Sequence, residues 1–344
     1  MSSLKMDKRV LALMLFGVLV VVLFLYFFVD IGATISAILS ANPLFTALTF
    51  FLVASGIFFY ALTWEVILRA LSKPLGIWRS IQYVCASIFV SILVPGGPLS
   101  EETTRTYLTV KNSDNSPGSV VASIISHRAL YVMPFLGGAC FSLILMFRDR
   151  AFLGYTFYVI SSVVFLIVLA LSLVLYLAVS PEKTGRILSL VFRLVGRVYK
   201  RPAKLLSWRE KAAEELKFFH EGIDLLRGKP LALIPAFLCT VLSYASNVFA
   251  ADLAFRALGT EVPLSLIIVA YTITVAILTL PLGILGMTGP AEISMITIYS
   301  AAGIHPATAA ASTLIVRTMT LWFQMALGGL FAYRIGLKAL KETA

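Results

Sequence analysis

The chain has 344 residues, 59% of them apolar and only 13% charged, with a mean hydropathy of +0.94. Soluble domains average about 45–50% apolar and about 25% charged, so a cytosolic enzyme and a secreted module are both excluded. The formal net charge of +11 invites a nucleic-acid reading, but membrane topology accounts for it and no nucleic-acid partner is expected. Cys85, Cys140 and Cys239 lie far apart inside apolar stretches, which suits core thiols better than a disulfide framework or a zinc site.

In chain order, residues 10–29 form an apolar run long enough to cross a hydrocarbon core of about 30 Å. It follows Lys5, Lys8 and Arg9 and has no small-x-small cleavage signal, so it reads as a retained first helix with a cytosolic N-terminus. Further runs cover 44–68, 119–147, 152–179, 231–258 and 307–333. Six spans put both termini on one side. Arg69, Lys73, Arg79 and Lys111 fall in predicted cytosolic connections, and Arg334, Lys338 and Lys341 follow the last span. The predicted outer loops hold Arg148, Arg150 and Arg256. This asymmetry predicts cytosolic termini. The one sizeable polar region, 181–229, carries twelve Lys or Arg. Its start reads as a basic amphipathic helix on an anionic cytoplasmic leaflet. Glu65 and Arg69 read as an i,i+4 pair near the inner interface, without a functional role.

Two apolar stretches are broken by Gly and Pro. The first, 81–109, turns at Pro95, Gly96, Gly97 and Pro98 and continues through Glu101, Glu102 and Arg105. The second, 264–302, turns around Gly286, Gly289 and Pro290 and continues through Glu292. Gly97-Pro98 recurs as Gly289-Pro290 at an offset of 192, Glu101 as Glu292 at 191, and Arg128 as Arg317 at 189. The first stretch enters from the cytosolic side and the second from the outer side, so they read as oppositely oriented re-entrant hairpins forming an inverted repeat. Broken backbone at membrane depth is tolerated where it is buried in protein or lines a wet cavity, and half-helix ends of this kind characterise many secondary transporters. Ordinary kinked spans with Gly at close contacts are the plainer alternative.

Glu101, Glu102, Arg105, His127 and Arg128 of the first half, with Glu292 and Arg317 of the second, fall inside this apolar framework. Each charge costs roughly 2.5–3.5 kcal/mol at the bilayer centre, so these groups pair or face water. Arg128 and Arg317 each lie about 15 Å into their spans at 1.5 Å per residue. One reading is static pairing, Glu101 or Glu102 with Arg128 and Glu292 with Arg317. The other gives Arg128, Arg317 and Arg105 a lipid phosphate, which guanidinium groups bind in a bidentate way. Glu101, Glu102, Glu292 and His127 would then relieve that contact or relay protons. His220 and His305 look peripheral.

The run Pro95-Gly96-Gly97-Pro98-Leu99-Ser100-Glu101-Glu102, with Arg105, Tyr107, Leu108 and Ser126-His127-Arg128, resembles the lysylphosphatidylglycerol synthase transmembrane region, the flippase-like domain family. The stretch 286–292, with Gly303, Arg317 and Trp322, is similar to that family's second signature. The resemblance covers roughly residues 10–335. Pro98, the doubled Glu and His127 depart from the family's usual pattern. The resemblance implies a lipid-translocating membrane domain, here expected to stand alone without a soluble aminoacyl-transferase domain.

The expectation is therefore an all-α integral membrane protein in a single membrane domain, 1–344, in the cytoplasmic membrane of a prokaryote. It would move an anionic, phosphate-bearing lipid, a phospholipid or a polyprenyl-phosphate, through a central polar cavity. A membrane-embedded enzyme, or an accessory subunit of lipid-linked glycan or aminoacyl-lipid synthesis, is the alternative. No HExxH, Asp-rich metal or Gly-x-Ser-x-Gly motif occurs, so no catalytic residue, metal or cofactor is expected. A homo-oligomer is left open.

Overall fold

The computed structural model describes residues 30–93, 98–149, 154–178, 230–279 and 284–342, with a few single positions outside these stretches. The run 10–29 (apart from Tyr26), the turn residues Pro95, Gly96 and Gly97, and nearly all of 181–229 lie outside the described residues.

Among the described residues the chain is all helix: α1 (Ile31–Leu39), α2 (Pro43–Leu71), α3 (Ile77–Leu93), α4 (Pro98–Lys111), α5 (Pro117–Asp149), α6 (Gly154–Ala178), α7 (Pro230–Ala257), α8 (Leu264–Leu278), α9 (Pro290–Ala301), α10 (Pro306–Arg317) and α11 (Gln324–Glu342). Proline opens six of them, at the position where its missing N–H has no helical acceptor to lose. Side chains also cap free amides, with or without such a proline. Asp30 accepts from Ala33 N at 2.9 Å, and Asn42 from Leu44 N at 2.9 Å. A turn of π-helix, Thr318–Phe323, joins α10 to α11.

Five of these helices are long and apolar enough to cross a membrane: Pro43–Leu71, Pro117–Arg148, Tyr155–Leu173, Leu233–Ala257 and Pro306–Gly336. They match the five expected runs that fall within the described residues. Large apolar side chains such as Phe50, Phe51, Phe165, Leu166 and Leu238 stand exposed on them. In water these would be a liability; in hydrocarbon they meet solvent of their own kind. The protein is a multi-pass membrane protein.

Helix α2 packs along α7 at the centre. Gly56 makes that approach close: a Cβ there would lie 2.9 Å from the Asn247 amide nitrogen, and Ser243 Oγ donates to Gly56 O at 2.9 Å. On one side α3 and α4 pack together, and α3 packs against α11. On the other, α8 packs on α9 and against α5. The α3–α11 contact is backbone to backbone, since a Cβ on Gly328 would come 2.3 Å from Cys85 O. The largest core cluster runs through α5, α6, α7, α8, α9 and α10 and includes Phe255, Leu266, Ile267, Ile296 and Tyr299. A second gathers Trp64, Leu68, Tyr83, Val84 and Ile124 from α2, α3 and α5.

Glu65 does more than the i,i+4 pairing expected of it. It is buried at 2% exposure, accepts from Gly76 N at 3.0 Å and from Ser80 Oγ at 2.7 Å, and lies 3.6 Å from Arg69. Those bonds tie the start of α3 back onto α2.

Candidate functional site

The charged residues resolve into three groups. In the first, Arg105 Nη2 on α4 donates to Glu101 Oε1 one turn earlier, and the Tyr60 hydroxyl on α2 donates to the same oxygen at 3.1 Å. The guanidinium lies 5.6 Å from the Tyr60 ring centre and 5.1 Å from that of Trp64, within cation–π range. Arg105 Nη1 stands 3.2 Å from His127 Nδ1. A guanidinium only donates, so Nδ1 accepts, and a neutral ring then carries its proton on Nε2. That nitrogen, Arg105 Nε and Ser126 Oγ are buried without a hydrogen-bond partner.

In the second group Arg128 Nε on α5 meets Glu102 Oε1 on α4 at 2.9 Å, with side chains 42% and 24% exposed. Glu102 also lines a groove of about 400 Å³ between α4 and α5, with Leu99, Tyr107 and Lys111 on one wall and Val121 and Ile125 on the other.

In the third group Arg317, at the end of α10, donates from Nε to Glu292 Oε1 at 2.5 Å and from Nη2 to Gly286 O at 2.9 Å. Glu292 accepts in turn from Gly289 N at 2.7 Å. Both side chains are buried, at 7% and 5% exposure. The turn they hold is left-handed at Gly286 (φ 55°), Met287 (φ 49°) and Gly289 (φ 105°). For Met287 that conformation costs about 1–3 kcal/mol, and the bonds from Arg317 and Glu292 to either side of it hold the backbone there. The pairing aligns Glu102, rather than Glu101, with Glu292, because each of these two acids meets the arginine of the helix that follows.

A cavity of about 230 Å³ lies at the centre of the bundle. Its wall draws on α2 (Tyr60), α5 (Tyr131), α7 (Ser243, Asn247), α8 (Tyr271, Thr274), Arg317 of α10, Thr320 of the π turn and Gln324 of α11. Tyr60 and Tyr131 meet edge to face, with ring centres 5.2 Å apart. Of the three arginines expected at a headgroup, Arg317 lines this cavity and Arg105 and Arg128 do not. His127 sits one side chain behind the wall, its ring 4.4 Å from that of Tyr60.

Residues 14–328 match the family model described as the lysylphosphatidylglycerol synthase TM region. The chain belongs to that family. Among relatives, it is 25% identical over 299 residues to a UPF0104 membrane protein of Methanothermobacter thermautotrophicus, covering 86% of this chain and 87% of the other. A second protein so named in that organism is 25% identical over 303 residues, covering 87% and 85%. One from Methanocaldococcus jannaschii is 23% identical over 336 residues, covering 95% of both. The resemblance seen in the motifs thus extends over nearly the whole chain, and similar proteins occur in archaea.

The cavity's neutral polar wall was missed in the sequence. A signal for it exists: Ser243 and Asn247 are four apart, and Arg317, Thr320 and Gln324 follow at intervals of three and four, so each set marks one polar stripe on an otherwise apolar helix.

Proposed function

We propose that this protein is a lipid translocase that passes the headgroup of a phosphate-bearing lipid through the central cavity while the chains stay in the bilayer. The observation that carries the reading is a chamber with a strip of polar side chains along an otherwise apolar wall, drawn from both halves of the chain, with a buried guanidinium on its surface inside a bundle whose outer face is apolar. A charged headgroup faces a large penalty in bare hydrocarbon, and such a chamber replaces its water with fixed dipoles and one cation. Arg317 has Nε and Nη2 committed to Glu292 and Gly286, which leaves Nη1 for a phosphate oxygen. The groove between α4 and α5, with Glu102 (paired to Arg128) near one end and Lys111 at the other end of the same helix, offers a lateral approach in which a lipid chain follows the apolar wall. No chemical step is assigned to these residues; they bind, orient and release.

Two further features support the reading. The helices α3, α4, α8 and α9 have 17, 14, 15 and 12 residues, or about 18–26 Å at 1.5 Å per residue. Each falls short of a hydrocarbon core of about 30 Å, so α3–α4 and α8–α9 are read as re-entrant hairpins. The packing is also the same when the halves are exchanged: α2 pairs with α7, α3 meets α11 as α8 meets α5, and α4 meets α5 as α9 meets α10. We read that as an inverted repeat with cytosolic termini in a prokaryotic cytoplasmic membrane; the expected sixth span, 10–29, lies outside the described residues.

The test is translocation of a fluorescent phospholipid in vesicles reconstituted with the full chain. Arg317→Ala is expected to bring the rate down to that of protein-free vesicles, while Arg317→Lys keeps part of it. An unchanged rate in a folded Arg317→Ala protein overturns the reading.

A further inference from the structure

From the hydrogen bonds that join the central chamber to the buried cluster behind it, we infer that Glu101 takes up one proton for each anionic headgroup that enters. Tyr60 passes that proton from the chamber, so a pH difference across the membrane drives lipid movement. This rests on the translocase reading and adds its energy source. Tyr60 lines the chamber, and its hydroxyl donates to Glu101 Oε1 at 3.1 Å. Arg105 Nη2 donates to the same oxygen, and Glu101 Oε2 has no hydrogen-bond partner among the described residues. The other two acids of the site are placed differently. Glu292 also touches a chamber residue, but through Arg317, whose guanidinium does not give up a proton; its two oxygens are taken by Arg317 and Gly289 N. Glu102 faces the α4–α5 groove and meets Arg128. Among the described acids, Glu101 alone is joined to the chamber by a group that can hand over a proton. His127 is engaged otherwise: its Nδ1 accepts from Arg105 Nη1, so the lone pair that a proton needs is occupied, and the ring positions Arg105 instead.

In the transfer, a hydronium ion in the chamber gives its proton to Tyr60 Oη and becomes water. The phenol's own O–H bond breaks as the O–H bond at Glu101 Oε1 forms, and the new hydroxyl donates back to Tyr60. No other reactant enters. Before the transfer Glu101 and Arg105 cancel. Afterwards Arg105, with a side chain 2% exposed and 5.6 Å from the Tyr60 ring centre, is an unbalanced charge one side chain behind the chamber wall. Charge acts strongly in so dry a setting. A proton on Glu101 and a phosphate in the chamber therefore each favour the binding of the other, by the same factor. Bound together, one proton and one phosphodiester carry no net charge past the hydrocarbon.

The other charged or titratable side chains facing Tyr60 and Glu101 are Glu102 on α4 and His127, Arg128 and Tyr131 on α5. Helix α3, packed on α4, has Arg79 exposed at its start and Tyr83 and Cys85 within core clusters. On α7, packed along α2, Asp252 and Arg256 pair with each other. The ionised groups about Glu101 thus balance before the proton arrives, and none is left over to offset it.

The test places a trace of fluorescent phosphatidylglycerol, which is singly negative, in phosphatidylcholine vesicles carrying the full chain. Its leaflet ratio is read after equilibration under an imposed pH difference at zero membrane potential. One proton per lipid is expected to shift that ratio towards the alkaline side by up to about tenfold per pH unit. A second readout needs no translocation: in weakly buffered detergent solution, a pH dye is expected to report about one proton taken up per phosphatidylglycerol bound. Glu101→Gln keeps an oxygen for Tyr60 and Arg105 and is expected to abolish both the shift and the uptake. Tyr60→Phe keeps the ring and the ion pair and is expected to abolish the shift. Lipid that moves yet settles evenly with the parent chain overturns the inference. So does an undiminished shift in either folded variant, or undiminished uptake in Glu101→Gln. Proton uptake on binding without any lipid movement removes the translocase reading and leaves the proton site standing. Lipid movement with an even ratio and no uptake does the reverse.

Discussion

The two short-helix regions share their ingredients and use them differently. In each, a proline-opened helix carries a glutamate and the next helix carries the arginine that meets it, Glu102 with Arg128 and Glu292 with Arg317. The second pair is buried and also bonded to backbone on both sides of a left-handed turn. The first is half exposed beside a groove, and its neighbours Glu101 and Arg105 form a separate buried cluster with Tyr60, Trp64 and His127. A like pair of charges therefore serves as a clamp in one half and as an accessible contact in the other. Burial decides which, because an ion pair in water contributes little while a buried one cannot lose a partner cheaply.

That contrast can be broken most sharply at Glu292. Replacing it by Ala strands Arg317 and leaves Gly289 N without its acceptor, and a loss of about 3–5 kcal/mol in detergent unfolding is expected; a loss below 1 kcal/mol would mean the clamp is not a clamp. Gly286→Ala comes next. Its Cβ would meet Leu321 at 2.7 Å in a left-handed backbone, so about 1–3 kcal/mol is expected from the same measurement. At the first pair, Glu102→Ala is expected to cost only about 0–1 kcal/mol, with lipid transport slowed and not abolished; full loss of transport would make Arg128 a chamber residue in effect. The smallest expected change sharpens the comparison most. Exchanging the first pair, Glu102→Arg with Arg128→Glu, should leave unfolding within about 1 kcal/mol of the parent. The same exchange at 292 and 317 should not, because an arginine cannot accept from Gly289 N and a glutamate cannot donate to Gly286 O.

The sequence made the long helices plain, since a twenty-residue apolar window needs no tertiary information to be recognised. It also offered the pairing of Glu292 with Arg317 as one of two readings, since charges in such a setting either pair or face water. Arg128 and Arg317 were expected to share a role because they lie at similar depth in their spans. Depth is a matter of counting, but the direction a side chain faces is set by which helix packs alongside, and that placed Arg317 on the cavity and Arg128 beside the groove. Glu65 pairs with Arg69 as expected, but its further partners Gly76 and Ser80 belong to the returning chain and leave no mark in the local sequence. Tyr60, Tyr131 and Tyr271 went unnoticed because a tyrosine in an apolar span looks the same whether it fills a core or edges a void.

The π turn at Thr318–Phe323 begins at the residue after Arg317. A turn with i→i+5 bonding holds one residue more than an α-turn, and each residue of an α-helix subtends about 100° around its axis. Were that surplus residue to slip along the helix, the segment bearing Thr320 and Gln324 would swivel by about that angle while Arg317 stayed moored to Gly286 and Glu292. The chamber would then exchange part of its polar lining for the opposite flank of the same rod, with neither of its two moorings broken.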